Sequence, residues 1–138
     1  MKIPPKIRFF LPVILWAGVI FAFSSYPTGT TTEIYWQDFI IKKMAHMVEY
    51  GVLTILSYRA FWNSGDGKRN AMISAVALAV FYAITDEIHQ SFTPGREPRA
   101  RDIIFDTIGA LGVAFIIWKL LPIAPARLRR WAENFQLI

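Results

Sequence analysis

The sequence predicts an all-α polytopic membrane protein, a bundle of four transmembrane helices followed by a short amphipathic helix on the cytoplasmic side. Three observations carry that expectation. Apolar residues make up 54% of the chain, above the roughly 45–50% typical of soluble domains. Four apolar segments, 7–23, 39–61, 71–91 and 102–121, are near the length that a membrane-spanning helix requires, and with short connections they use up the 138 residues as one domain. Charge is also sorted by side. With a cytoplasmic N-terminus and alternating spans, one side holds Lys2, Lys6, Arg8, Arg59, Lys68, Arg69, Lys119, Arg127, Arg129 and Arg130 against only Asp66 and Glu133, a net +8. The other side holds five basic groups against eight acidic ones, a net −3, together with both histidines. That threading satisfies the positive-inside rule and puts both termini in the cytoplasm.

Each element follows from local chemistry. Pro4 and Pro5 suit the entry to the first helix, and Pro12 either starts that helix or bends it. The first segment is long for the apolar region of a signal peptide, so it is expected to remain as an anchor. Ser24-Ser25-Tyr26-Pro27-Thr28-Gly29 ends it with loop residues. Tyr35 and Trp36 fit an interfacial aromatic belt, as do Tyr58, Trp62, Trp118 and Trp131. Asp38 is placed to cap the second helix. Asn63-Ser64-Gly65-Asp66-Gly67 is a turn that makes the second and third helices an antiparallel hairpin. Pro94-Gly95 and Pro98 break the chain before the fourth helix, and Pro122 and Pro125 end it. In the tail, 126–138, Leu128, Trp131, Phe135 and Ile138 fall at helical spacing with Arg127 and Arg130 on another side, as in an interfacial helix. A soluble four-helix bundle is the competing fold. Against it, residues 72–84 offer no polar stripe beyond Ser74 and Tyr82.

Composition also excludes chemistry. The absence of cysteine removes disulfides, thiol nucleophiles and thiolate metal sites. The net +5 would suggest nucleic acid in a soluble protein, but sidedness assigns it to topology and to contact with anionic membrane lipids, so no nucleic-acid partner is expected. There is no phosphate-binding glycine loop and no triad spacing around a serine.

The side chains capable of chemistry gather at the outer ends of three helices. Lys43, His46, Glu49 and Tyr50 recur at three- and four-residue spacing and so share a helix face. Asp86, His89 and Gln90 do the same on the third helix, with Glu87 beside them, and Asp102, Asp106 and Gly109 on the fourth. An ionised group at the bilayer centre costs roughly 2.5–3.5 kcal/mol, so these groups are tolerable only facing each other or a wet cleft. A polar cavity between the second, third and fourth helices, open to the outside, is therefore expected. Gly109 and Gly112, with Ala110 and Ala114, would let the fourth helix come close to its neighbours. His46, Asp86, Glu87 and Asp102 are the candidate catalytic residues. Lys43, Glu49, Tyr50, His89, Gln90, Arg96 and Asp106 are candidate binding residues. His46, Glu49, Asp86 and His89 have spacing that would admit a divalent metal, although there is no H-E-x-x-H pattern. The bland alternative is that Lys43 and Arg96 neutralise Glu49, Asp86, Glu87 or Asp102 as pins between helices.

At these residues the chain resembles the VanZ-like family of small bacterial membrane proteins. The matching runs are Ser24-Ser25 after an apolar helix, Lys43-x-x-His46-x-x-Glu49-Tyr50-x-x-Leu53, Asp86-Glu87-x-His89-Gln90-x-Phe92-x-Pro94-Gly95-Arg96, and Asp102-x-x-x-Asp106-x-x-Gly109-x-x-Gly112. Position 106 carries Asn or Asp in the family, and the Asp here adds a charge. The resemblance implies a multi-pass protein of the bacterial inner membrane with a cell-envelope role. The family's namesake is linked to low-level resistance to the glycopeptide teicoplanin. Two functions stay open. One is an accessory envelope protein whose acidic cleft binds a lipid-linked precursor, a cationic ligand, a glycopeptide or a partner membrane protein. The other is an integral-membrane hydrolase or phosphoryl-transfer enzyme, with Lys43 and Arg96 as anion clamps and His46 as base. Proton-coupled transport is a weaker third, since the polar groups stop at one side.

Overall fold

The computed structural model describes residues 5–26, 35–94, 96 and 99–138. Pro4, Pro27, Thr28, Gly29, Gly95 and Pro98 lie outside the described residues, as do Lys2, Glu33 and Glu97 of the charge pattern and the side chains of Lys6 and Tyr35. Among the described residues five α-helices follow in order: α1 Pro5–Ser24, α2 Tyr35–Asn63, α3 Lys68–Ser91, α4 Ala100–Phe115 and α5 Ala126–Asn134. The four long helices alternate in direction. α1 starts at Pro5 and runs through Pro12, so the helix neither begins nor ends at that proline. α2 begins one turn before Asp38, which therefore sits in the first turn rather than at the cap. There it pairs with Lys42 at 2.7 Å and faces the positive end of the helix dipole. α4 passes through a π-helical turn, Ile116–Leu120, and a 3-10 turn, Leu121–Ile123, before α5. Pro122 lies in that 3-10 turn and has no N–H to continue an α-helical ladder.

The bundle is built inside out relative to a soluble protein. Phe81 is 68% exposed and Phe115 57%, whereas Asp86 is 4% and Asp106 3% exposed. Three stretches, Ile7–Ser24, Lys68–Ser91 and Ala100–Ile123, are long and apolar enough to cross a membrane. α2 is not among them, because Asp38, Lys42, Lys43, Glu49 and Arg59 dilute its apolar content. It packs against α1, α3 and α4, and α3 likewise packs against the other three long helices. Two buried clusters hold these helices together. The first joins Val13 and Ile20 of α1 to Tyr50 and Leu53 of α2, Ala79 and Ala83 of α3, and Ala110 of α4. The second joins Tyr58 of α2, Ala71, Met72 and Ala75 of α3, and Ile117 and Leu121 to Ala132 and Leu137 of the tail. Ala71, Ala75, Ala79 and Ala83 recur every four residues and are buried. Side chains this small let α3 lie close to its neighbours, where dispersion contacts are strongest.

Three expectations are corrected here. Tyr58 is not a belt residue; it is buried in the second cluster and stacks on Trp62 with ring centroids 5.6 Å apart. Gly112 faces open space, so among the described glycines Gly109 and Gly51 mediate close approach. The tail helix ends at Asn134, and Gln136 then turns the backbone left-handed, with φ 58°. This turn carries Leu137 back into the bundle, where its N–H donates to Ala132 O at 2.9 Å. Ala132 and Leu137 are thus the buried contacts of the tail, while Leu128, Trp131 and Phe135 stay exposed.

Candidate functional site

At the end of the bundle away from most of the basic groups, polar side chains from all four long helices converge in two knots. The first joins α2 to α4. Lys43 Nζ lies 2.6 Å from Asp102 Oδ2, and one turn further in His46 Nδ1 lies 3.2 Å from Asp106 Oδ1. The three- and four-residue steps along each helix set these two rungs on facing stripes. Close backbone approach makes them possible. A Cβ built on Gly109 would fall 2.3 Å from Met47 O, so any larger residue would push α4 off α2. Phe39 and Phe105 flank the upper rung, their ring centroids 5.5 and 5.7 Å from Lys43 Nζ. Aromatic faces attract the ammonium and keep water from the pair. The His46–Asp106 approach is close enough for an ion pair, but its angle is poor for a hydrogen bond, and Nδ1 and Oδ1 both keep unused capacity.

The second knot joins α1 to α3. Ser24 Oγ donates to Asp86 Oδ2 at 2.8 Å, and Gln90 Nε2 donates to the same oxygen at 2.8 Å. All three residues are buried. Ser25 Oγ lies 3.0 Å from His89 Nε2 and donates its proton to Phe21 O at 2.7 Å. A hydroxyl has one proton, so this network assigns the proton of the shared contact to His89 Nε2. Phe21 packs its ring 4.3 Å from the imidazole. Arg96 closes the end of α1, its Nε donating to Tyr26 O at 3.0 Å and its Nη2 to Phe23 O at 2.8 Å. The last carbonyls of a helix lack intrahelical donors, and a guanidinium supplies two in fixed geometry. Glu87 accepts a hydrogen bond from the Arg99 backbone N–H just ahead of α4.

Tyr50 joins the knots. It is completely buried, its hydroxyl has no hydrogen-bond partner, and it lies within electrostatic reach of Asp86, Asp106, Glu49 and Tyr82. Glu49 is half-buried on the same turn and senses His46, Asp106, Asp86 and Arg96. Asp86 Oδ1 and Asp102 Oδ1 are also buried without a hydrogen bond. Buried oxygens of this kind ordinarily find a donor, because leaving one unmade costs about 1–3 kcal/mol. The site therefore holds acceptor capacity that the described residues do not use.

The structure thus sorts the candidate residues. His46 meets Asp106, Lys43 meets Asp102, and Glu49 and Tyr50 sit between the knots. Asp86 and Gln90 face α1, and His89 does so at the rim. Adjacent Asp86 and Glu87 point to different neighbours. Arg96 binds backbone carbonyls, not the carboxylates that charge alone would have chosen for it. His46, Glu49, Asp86 and His89 do not form one ligand set. His46 turns to α4 and His89 to α1, and among the described residues no three His, Asp or Glu side chains are grouped to hold a metal ion.

The share of α1 in the site is larger than the sequence suggests: Ser24 and Ser25, at the outer end of that helix, are placed to meet the cleft, and the carbonyls of Phe23 and Tyr26 join them as a wall. Trp16 and Tyr82 also lock that wall. Trp16 Nε1 donates to Glu49 O at 2.9 Å and Tyr82 Oη to Ala17 O at 2.6 Å. The Ser24-Ser25 pair at the end of an apolar helix was the available signal for α1, while nothing local marks Trp16. A family model described as VanZ/LLP1 matches residues 9–122. No curated protein and no solved structure matches the chain.

Proposed function

The chain belongs to the VanZ/LLP1 family, and from that premise and the geometry of the two knots we propose that it is an accessory cell-envelope protein of the bacterial inner membrane, spanning it four times with both termini in the cytoplasm. In this reading α2 is the fourth span, its inner half from Tyr50 onward enclosed by the other helices and its outer half turning Ile40, Ile41, Met44 and Val48 to lipid. The polar end faces outward, and its unused acceptors bind a donor-rich group of a lipid-linked envelope precursor or of a glycopeptide such as teicoplanin. The net +8 of the opposite side supports the orientation. One observation carries the binding reading. Lys43 is paired with Asp102 and Asp86 Oδ2 is held by two neutral donors, while Tyr50 Oη, Asp86 Oδ1, Asp102 Oδ1 and Asp106 Oδ1 have no hydrogen-bond partner among the described residues.

One observation favours a second reading, an integral-membrane hydrolase or phosphoryl-transfer enzyme. With Nδ1 3.2 Å from Asp106 Oδ1, His46 has its Nε2 on the opposite ring edge, and a small rotation of the ring would complete the hydrogen bond by which a carboxylate orients a general base. His46→Ala and Asp86→Asn separate the two, with membrane abundance and glycopeptide susceptibility of expressing cells as readouts. A binding protein gives graded loss that tracks the amount of assembled protein. Complete loss at normal abundance in both variants would contradict the accessory role and favour the enzyme.

A further inference from the structure

At the basic end of the bundle a second site stands apart from the two knots. A cavity of about 370 Å³ opens between α1, α2 and the C-terminal tail, within the roughly 300–1,000 Å³ of small-molecule sites. Its polar lining comes from Arg8, Arg59, Asn134 and Gln136. Two guanidinium groups and two amides line it with no carboxylate. Among the described residues neither arginine forms an ion pair, and Arg59 Nε is buried without a hydrogen bond. Pro12 and Leu56 line the same cavity. Each lies about one helical turn further into the bundle than the arginine on its own helix. The cavity is thus cationic at its mouth and apolar at its floor.

The tail is shaped to serve it. Gln136 is the one described non-glycine residue with positive φ, and it occupies the position after a helix end where glycine is favoured. A glutamine there accepts an unfavourable backbone geometry and contributes an amide side chain to the cavity. Burial of Ala132 and Leu137 on either side fixes that turn against the bundle.

We propose that this cavity binds a phosphate-bearing anion, with the headgroup of an anionic phospholipid as the source its apolar floor fits. Arginine pairs match phosphate oxygens through charge-assisted hydrogen bonds, and a neighbouring acyl chain would follow Pro12 and Leu56 inward. The inference does not depend on the function assigned to the opposite end.

The test uses the purified full-length chain in uncharged detergent. It is titrated with phosphatidylglycerol, phosphatidylcholine or inorganic phosphate, and read by melting temperature and by lipid retained in native mass spectrometry. Phosphatidylglycerol is expected to raise the melting temperature and to stay bound. Arg59→Gln and Arg8→Gln should weaken its half-saturation about tenfold. Gln136→Gly keeps the left-handed turn but removes the amide, so it should weaken binding in a folded protein even if an arginine variant misfolds. Lys119→Gln and Arg129→Gln, exposed at the same end but outside the cavity, should bind as the wild type does. Equal stabilisation by inorganic phosphate, lost in the same cavity variants, would support the site with a free anion as its ligand. Loss shared equally by cavity and control variants would show diffuse charge attraction and overturn the proposal. So would the absence of any response to lipid and phosphate alike.

Discussion

Replacing Gly109 with alanine should pull the outer-end site apart, and the structure sets the scale. The added Cβ would lie 2.3 Å from Met47 O, 2.8 Å from Met47 Cα and 2.9 Å from Met47 C. All three are backbone atoms, so no rotamer change can relieve the contact. Restoring an ordinary 3.4 Å approach to the oxygen requires α2 and α4 to separate by about 1.1 Å. Asp106 lies one turn away and has a short side chain. The same displacement takes its 3.2 Å approach to His46 past the roughly 4 Å reach of an ion pair. Overpacking of this kind costs about 1–3 kcal/mol, and rigid backbone on both sides places this case at the upper end. A fall in melting temperature on the order of 10 °C is expected, read by circular dichroism in detergent. Gly112→Ala is the control, since a Cβ there meets nothing within 4 Å. It should leave the melting point unchanged or slightly raised, because alanine favours helix. Equal melting of Gly109→Ala and wild type, or equal losses in both variants, would refute the close-approach argument.

Other perturbations probe single contacts. Lys43→Met leaves Asp102 with only the 3.9 Å approach of the more exposed Arg101 and should destabilise by roughly 1–3 kcal/mol, with most of that recovered in Lys43→Met/Asp102→Leu, because a poorly paired charge costs more than no charge; a double-variant melting cycle measures the recovery. Tyr50→Phe removes a hydroxyl with no partner, so stability should change by less than about 1 kcal/mol while ligand-dependent function falls; a large drop in melting point would mean the hydroxyl is structural. Arg96→Lys keeps the charge but cannot span both Phe23 O and Tyr26 O, and should cost about 1 kcal/mol and speed hydrogen exchange at the end of α1; exchange unchanged from wild type would count against that clamp.

Periodicity and punctuation made the helices legible. The segment expected at 71–91 is found at Lys68–Ser91, and the one expected at 39–61 at Tyr35–Asn63. Turn residues and prolines mark those ends through local backbone chemistry, which a sequence displays directly. The pairing within the site was less legible. Spacing shows that Lys43 and His46 share a face, but not which way α2 is rotated against its neighbours. That rotation is set by Gly109 against Met47 and by the alanine stripe of α3, contacts between segments far apart in the chain. Ser24 meets Asp86 across 62 positions, and no local pattern announces such a bond. Tyr58 was misplaced because an amphipathic ring suits either a membrane interface or a core, and only the packed neighbours decide. In the tail, helical spacing puts Leu128, Trp131, Phe135 and Ile138 on one side, and that spacing carries no sign of the left-handed turn at Gln136 that buries Leu137.

In the proposed topology the charged knots lie at the outer membrane face and the basic end in the cytoplasm. Sidedness of labelling tests it most directly, in a chain that has no cysteine of its own. Ser91→Cys, exposed beside the knots, and Asp66→Cys, exposed in the turn between α2 and α3, would each be treated with a membrane-impermeant maleimide in intact spheroplasts and again after permeabilisation. The expected result is labelling of Ser91→Cys in intact spheroplasts and of Asp66→Cys only after permeabilisation. The reverse pattern, or labelling of both from one side, would contradict that topology.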